Sequence, residues 1–100
     1  MASQNFHRTR AETFKACKRA LEELDWVVTS FDKQTGLIEA ERGGNLLAFG
    51  HIVVVEVRTL KNAAVKVLVK STALGPQIVD WGTNAKNENE IFDTLSEILA

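Results

Sequence analysis

The chain is short of the residues that most often carry chemistry. It has one cysteine, Cys17, so no disulfide can close within it. Cys17, His7 and His51 are its soft metal ligands, and no two of them have metal-ligand spacing. Neither a metal site nor a cofactor is expected. An excess of charge is missing too: 12 Lys and Arg against 13 Asp and Glu leave a net charge of −1. That balance gives no global drive toward nucleic acid or an anionic membrane, so nucleic acid is not expected as a partner. No apolar run approaches the ~20 residues of a membrane helix. Met1-Ala-Ser-Gln-Asn-Phe-His-Arg8 lacks the apolar core of a signal peptide. A cytoplasmic protein without a membrane span is the expectation, although a secreted or lipoprotein chain trimmed of its leader would read the same. Internal repeats and low-complexity segments are absent. Gly43-Gly44 has neither G-x-G-x-x-G spacing nor a following helix, which excludes a phosphate loop there.

What is present is the composition of an ordinary globular domain, 45% hydrophobic and 25% charged over 100 residues. That length makes one domain, residues 1–100, with residues 1–7 expected as a disordered lead-in. The most informative stretch is His51 to Ser71. His51-Ile-Val-Val-Val-Glu-Val-Arg58 and Ala64-Val-Lys-Val-Leu-Val-Lys-Ser71 are β-branched runs separated by Thr59-Leu-Lys-Asn62. Side chains alternate along a strand, so Val53, Val55 and Val57 share a face with Val65, Val67 and Val69. The opposite face carries Ile52, Val54, Glu56 and Arg58 beside Ala64, Lys66, Leu68 and Lys70. The first face is wholly apolar and faces the core; a one-residue slip would bury Glu56, Lys66 and Lys70. Asn62 is the expected turn residue, because Asn tolerates the left-handed region.

The remaining elements follow from periodicity. Ala11, Phe14, Cys17, Leu21 and Leu24 repeat at three and four, predicting a helix over 9–24. Its bases come early and its acids late, against the helix macrodipole. Trp26 to Phe31 has β composition, Asp32 to Gly36 reads as a turn, and Leu37 to Arg42 alternates with Ile38 and Ala40 inward. Ile91, Phe92, Leu95, Ile98 and Leu99 predict a last helix over 85–99, with Asn87 to Glu90 as a capping box or Asn84 as the N-cap. The fold class is therefore α+β in two layers: helix, four antiparallel strands, helix, with both helices on one face of the sheet.

Gly36-Leu-Ile-Glu-Ala40, Val55-Glu-Val-Arg58, Val69-Lys-Ser71, Leu74-Gly75 and Asp80-Trp-Gly-Thr-Asn84 carry a resemblance over most of the chain. With them the chain resembles an uncharacterised family of small bacterial and plastid proteins, a domain of unknown function with a D-x-G-x-N-helix pattern. Its element order is also similar to the helix-grip lipoprotein domains of outer-membrane assembly. Ile52 and Val53 stand where that first family has acidic residues, and Ser71-Thr-Ala-Leu74 stands where it has Arg. The resemblance implies the fold and supplies no activity.

No residue set here has the pattern of a catalytic centre. Cys17 falls on an apolar stripe, where it reads as a small buried hydrophobe; a nucleophile would need a base or cation beside it. Asp80, Trp81, Gly82 and Asn84 are the densest polar-aromatic cluster. They read either as a ligand site at the start of the last helix, Phe49 contributing, or as a cap covering the core edge. The bases Arg8, Arg10, Lys15, Lys18 and Arg19 read as phosphate contacts or, more simply, as partners of Glu88, Glu90, Asp93 and Glu97 on the neighbouring helix. Leu46, Leu47 and Phe49, between glycines, are expected to cap the core or join an interface. Leu37, Ile52, Val54 and Leu68 make an apolar patch on the outer sheet face, ringed by Glu39, Glu56, Lys66 and Lys70. The leading expectation is a non-enzymatic, self-associating module, a homodimer through that face. The alternative is a binder of a small apolar or amphipathic ligand between sheet and helices.

Overall fold

The computed structural model describes residues 1–43, 50–74 and 82–100. In chain order its elements are β1 (Ala2–Phe6), α1 (Arg10–Glu23), β2 (Val27–Asp32), β3 (Leu37–Arg42), β4 (His51–Thr59), β5 (Val65–Ala73) and α2 (Thr83–Leu99). The strands form one antiparallel sheet in the order β1-β5-β4-β3-β2. The class is α+β, as the patterning implies, but among the described residues the sheet has five strands, not four.

The additional strand is the segment expected to be a disordered lead-in. Ala2 pairs with Val69 and Phe6 with Val65, which places a strand of composition Ala-Ser-Gln-Asn-Phe along the edge of β5. Ser, Gln and Asn have little strand preference of their own. The pairing is supplied by the unpaired N–H and C=O groups that β5 would otherwise expose, and by burial of Phe6 against the core.

The central hairpin has the expected register. Val55 pairs with Val69 and Val57 with Val67, and these side chains are at most 1% exposed. The turn differs. Ala63, not Asn62, takes the positive φ of 66°. Asn62 acts through its side chain, whose Oδ1 accepts from the Ala64 amide at 3.2 Å.

Helix α1 begins at the side-chain N-cap Thr9. Thr9 Oγ1 accepts from the Glu12 amide at 3.1 Å and donates to the Glu12 carboxylate at 3.0 Å. Glu12 also puts one acid at the positive end of a helix whose charges otherwise oppose the macrodipole. The far end closes as a Schellman motif: Trp26 N–H donates to Leu21 O at 2.8 Å and Asp25 N–H to Glu22 O at 3.1 Å. Asp25 is left with φ 65°, a conformation glycine adopts more easily. Helix α2 starts at Gly82, φ 77°, without a side-chain cap. Neither Asn84 nor Asn87 is the N-cap; both lie inside the helix and are drawn toward β5.

Apolar side chains of every element except β2 meet in one buried cluster, including Phe14 and Leu21 of α1, Ile38 of β3, the six hairpin valines, and Ile91 and Leu95 of α2, and Val28 of β2 packs against it. Among the described residues no helix is long and apolar enough to cross a membrane.

Two backbone positions should respond in opposite directions to substitution. At Gly36 φ is 78°, and an added Cβ would sit 2.3 Å from Val57 O, an atom held by the ladder. Gly36→Ala should therefore destabilise by more than ~1 kcal/mol. Asp25→Gly should stabilise by about 0.5–1 kcal/mol by relieving the left-handed strain. Urea unfolding of the two variants against the parent checks both signs.

Candidate functional site

On the outer face of the sheet apolar side chains stay in contact with solvent. Register places its residues in rows across β3, β4 and β5. Leu37 lies beside Glu56, and Glu56 beside Leu68. The next row is Glu39, Val54, Lys70, and the next Glu41, Ile52, Thr72. The four residues expected in the patch are thus brought together. Leu37 is 41% exposed, and Ile52, Val54 and Leu68 are half-buried. Val27, on the same face beside Glu41, is 66% exposed and was not apparent from the sequence, where it reads as one more strand valine. A shallow depression crosses the middle of the face, lined by Leu37, Val54, Glu56, Leu68, Lys70 and Met1. The charges around it are ordered: the Glu56 carboxylate is gripped by Arg58 at 2.9 and 3.0 Å, and Glu39 accepts from Ser30 Oγ at 3.1 Å.

A second cluster occupies one end of the inner face. Ser71 continues the inner row of β5 beyond Val69, and so the alternation that buries the valines buries a hydroxyl as well. Its Oγ donates to Asn84 Oδ1 at 2.9 Å and accepts from Asn87 Nδ2 at 3.3 Å. Its backbone N–H donates to the buried Glu88 carboxylate at 2.9 Å. Arg42 donates to Asn87 Oδ1 at 2.6 Å and to Leu24 O at 3.2 Å, and its guanidinium carbon lies 4.4 Å from the centroid of the Trp26 ring. This network ties α2 to β5 and the end of α1 to β3. It accounts for Asn84, a candidate ligand residue, as part of a structural lock. The other candidates of that set, Phe49, Asp80 and Trp81, lie outside the described residues, as do Leu46 and Leu47.

The bases of α1 do not find the acids of α2 among the described residues. Arg8, ahead of the helix, pairs with Glu12 at 3.9 Å and donates to the Leu99 backbone carbonyl of α2, and Arg19 pairs with Glu23 at 3.2 Å along α1. Arg10 donates to Gln34 O at 2.9 Å, and Lys18 Nζ stands 3.7 Å from the Phe31 ring centroid. His7 is exposed ahead of α1, His51 opens β4, and Cys17 is fully buried, so the three soft ligands lie on different elements. Among the described residues no three His, Cys, Asp or Glu side chains gather as a metal site.

No family model matches the chain, and no curated protein matches it.

Two measurements test the interior. Ser71→Ala removes the group on which Asn84 and Asn87 converge, and should cost about 1–3 kcal/mol in urea unfolding. Burial pushes the Cys17 thiol up from 9.0 to about 12. The native thiol should therefore resist a disulfide reagent at pH 8 that labels the urea-unfolded chain. The unfolded chain ionises above pH ~9 while the native one does not, so this contribution to stability is whole below that pH and is lost as pH rises toward 12.

Proposed function

We propose that the chain is a non-enzymatic interaction module that pairs with a second copy of itself through the outer face of its sheet. The observation that carries this reading is the arrangement of charged and apolar side chains across two neighbouring rows. In the row Glu39, Val54, Lys70 an acid stands on one side of an apolar centre and a base on the other. In the neighbouring row two leucines, Leu37 and Leu68, flank Glu56.

A two-fold axis running along β4 between two facing sheets sets β3 of one copy over β5 of the other. Leu37 then meets Leu68 and Glu39 meets Lys70, twice each, because a two-fold interface repeats every contact. Glu56 approaches its own counterpart, but each carboxylate is already neutralised by Arg58 at 2.9 Å. An axis across the strands would instead bring Glu39 to Glu39 and Lys70 to Lys70. Tilting the axis by about 15° from β4 would set the facing strands roughly 30° apart, the usual angle between packed sheets.

In this reading both helices lie on the opposite face, the one bearing Val53, Val55, Val57, Val65, Val67 and Val69. Membership of Phe14, Leu21, Ile91 and Leu95 in one buried cluster with those valines supports the placement. The resemblance to a family of unknown function bears on fold alone. A cytoplasmic setting belongs to the same proposal and rests on the sequence. Apolar burial contributes about 25 cal/mol per Å² before association costs, so a patch of a few side chains supports a micromolar rather than an obligate dimer.

Sedimentation at high micromolar concentration tests the pairing. The parent should dimerise and Val54→Lys with Leu68→Glu should not. Glu39→Lys and Lys70→Glu should each weaken the dimer, and the two together should restore it. A parent that stays monomeric, or a double swap no better than its components, removes the proposal.

A further inference from the structure

Helix α1 and the turn between β2 and β3 enclose a cleft of about 350 Å³. Its lining is Arg10, Ala11, Phe14, Lys15, Lys18 and Lys33. The helical residues fall on one side of α1 because they are spaced by one turn or two. Lys33 comes from the turn, which is held against the helix by the bond from Arg10 to Gln34 O at 2.9 Å. Phe31, 51% exposed, stands beside it, with its ring 6.4 Å from the Phe14 ring and 3.7 Å from Lys18 Nζ.

The charge of this cleft is of one sign. Four of the chain's 12 basic residues line it, and no carboxylate does, in a chain whose net charge is −1. The acids adjoining these residues in sequence, Asp32 and Glu12, are engaged elsewhere. The Asp32 carboxylate accepts the Gln34 and Thr35 amides of the turn, and Glu12 serves the Thr9 cap and Arg8. Four cations around one depression repel each other, and an anion seated among them relieves that repulsion. The floor is apolar and aromatic, which a bare inorganic ion does not use. A ligand with both a negative head and a ring satisfies walls and floor together, and the volume is at the low end of those that hold small molecules.

From this we infer that the cleft beside α1 is a binding site for a small aromatic anion. The carboxylate or phosphate head is held by Lys15, Lys18 and Lys33, and the ring lies against Phe14 and Phe31. The site is formed within one chain and does not depend on the dimer proposed above.

Phenyl phosphate is the probe, with inorganic phosphate and phenol as its two halves, each titrated into the full chain and followed by amide NMR shifts. Phenyl phosphate should saturate with shifts confined to residues 10–18 and 31–35, and should bind about tenfold more tightly than either half, a difference of roughly 1.4 kcal/mol. Affinity should fall with added salt, since the head contacts are exposed charges. Lys33→Glu, a change on an exposed turn, should weaken phenyl phosphate and phosphate alike without moving the thermal midpoint. Phe31→Ala should abolish the preference for phenyl phosphate over phosphate while phosphate binding persists. Equal affinities for phenyl phosphate and phosphate would reduce the cleft to a patch of counterion attraction and overturn the inference. Shifts scattered over the surface, or no saturation, would overturn it as well.

Discussion

The register of β4 against β5 is the constraint on which the rest of the molecule depends. Val53, Val55 and Val57 and Val65, Val67 and Val69 are buried together only in this register. A slip of one residue would exchange them for Glu56, Lys66 and Lys70, and charged groups without partners are not tolerated in a core. The same pairing sets both faces at once. It buries the six valines in one cluster with side chains of α1 and α2, and it lines up Leu37, Glu56 and Leu68 in one outer row and Glu39, Val54 and Lys70 in the next. Neither the core nor the outer patch could move without the other.

The cost of that register appears at the end of the inner face. Ser71 must follow Val69 into the interior, and a buried hydroxyl without partners is destabilising. The chain meets this by turning Asn84, Asn87 and Glu88 of α2 toward β5, and by bringing Arg42 over Trp26 to join Asn87. Helix α2 is therefore positioned twice, by the apolar contacts of Ile91 and Leu95 and by polar bonds that have direction. Apolar packing alone would allow it to slide; the polar bonds select one placement.

Charge is distributed so that a nearly neutral chain has strongly local fields. Bases on α1 and Lys33 surround the cleft, while on the outer sheet face Glu39 and Lys70 stand on either side of Val54. The first arrangement is what we propose for an anion, and the second what we propose for a rotated copy of the chain. Net charge, which nearly vanishes, predicts neither.

The two helices, four of the strands and the inward valines were legible in the sequence because each rests on a short-range period: two for Ile38 and Ala40 or the valine rows, three and four for Phe14, Cys17 and Leu21. The outer patch residues were legible for the same reason, as the alternate members of those rows. Strand β1 was not, because Ser3, Gln4 and Asn5 carry no strand signal and are ordered by the free edge of β5, far along the chain. The left-handed residue of the hairpin turn was assigned to Asn62 and falls on Ala63, since strand pairing on both sides decides which residue must turn. Asn84 and Asn87 have the composition of caps, yet Ser71 and Arg42 claim their side chains from across the fold. Lys33 belongs to the basic cleft only because the turn after β2 folds against α1. The sequence by itself determined which residues repeat with the period of a helix or strand, and so which face of each is apolar. Tertiary structure alone decided which polar groups meet, because a hydrogen bond or a charge pair needs a partner at a defined distance, and local periodicity carries no information about who that partner is.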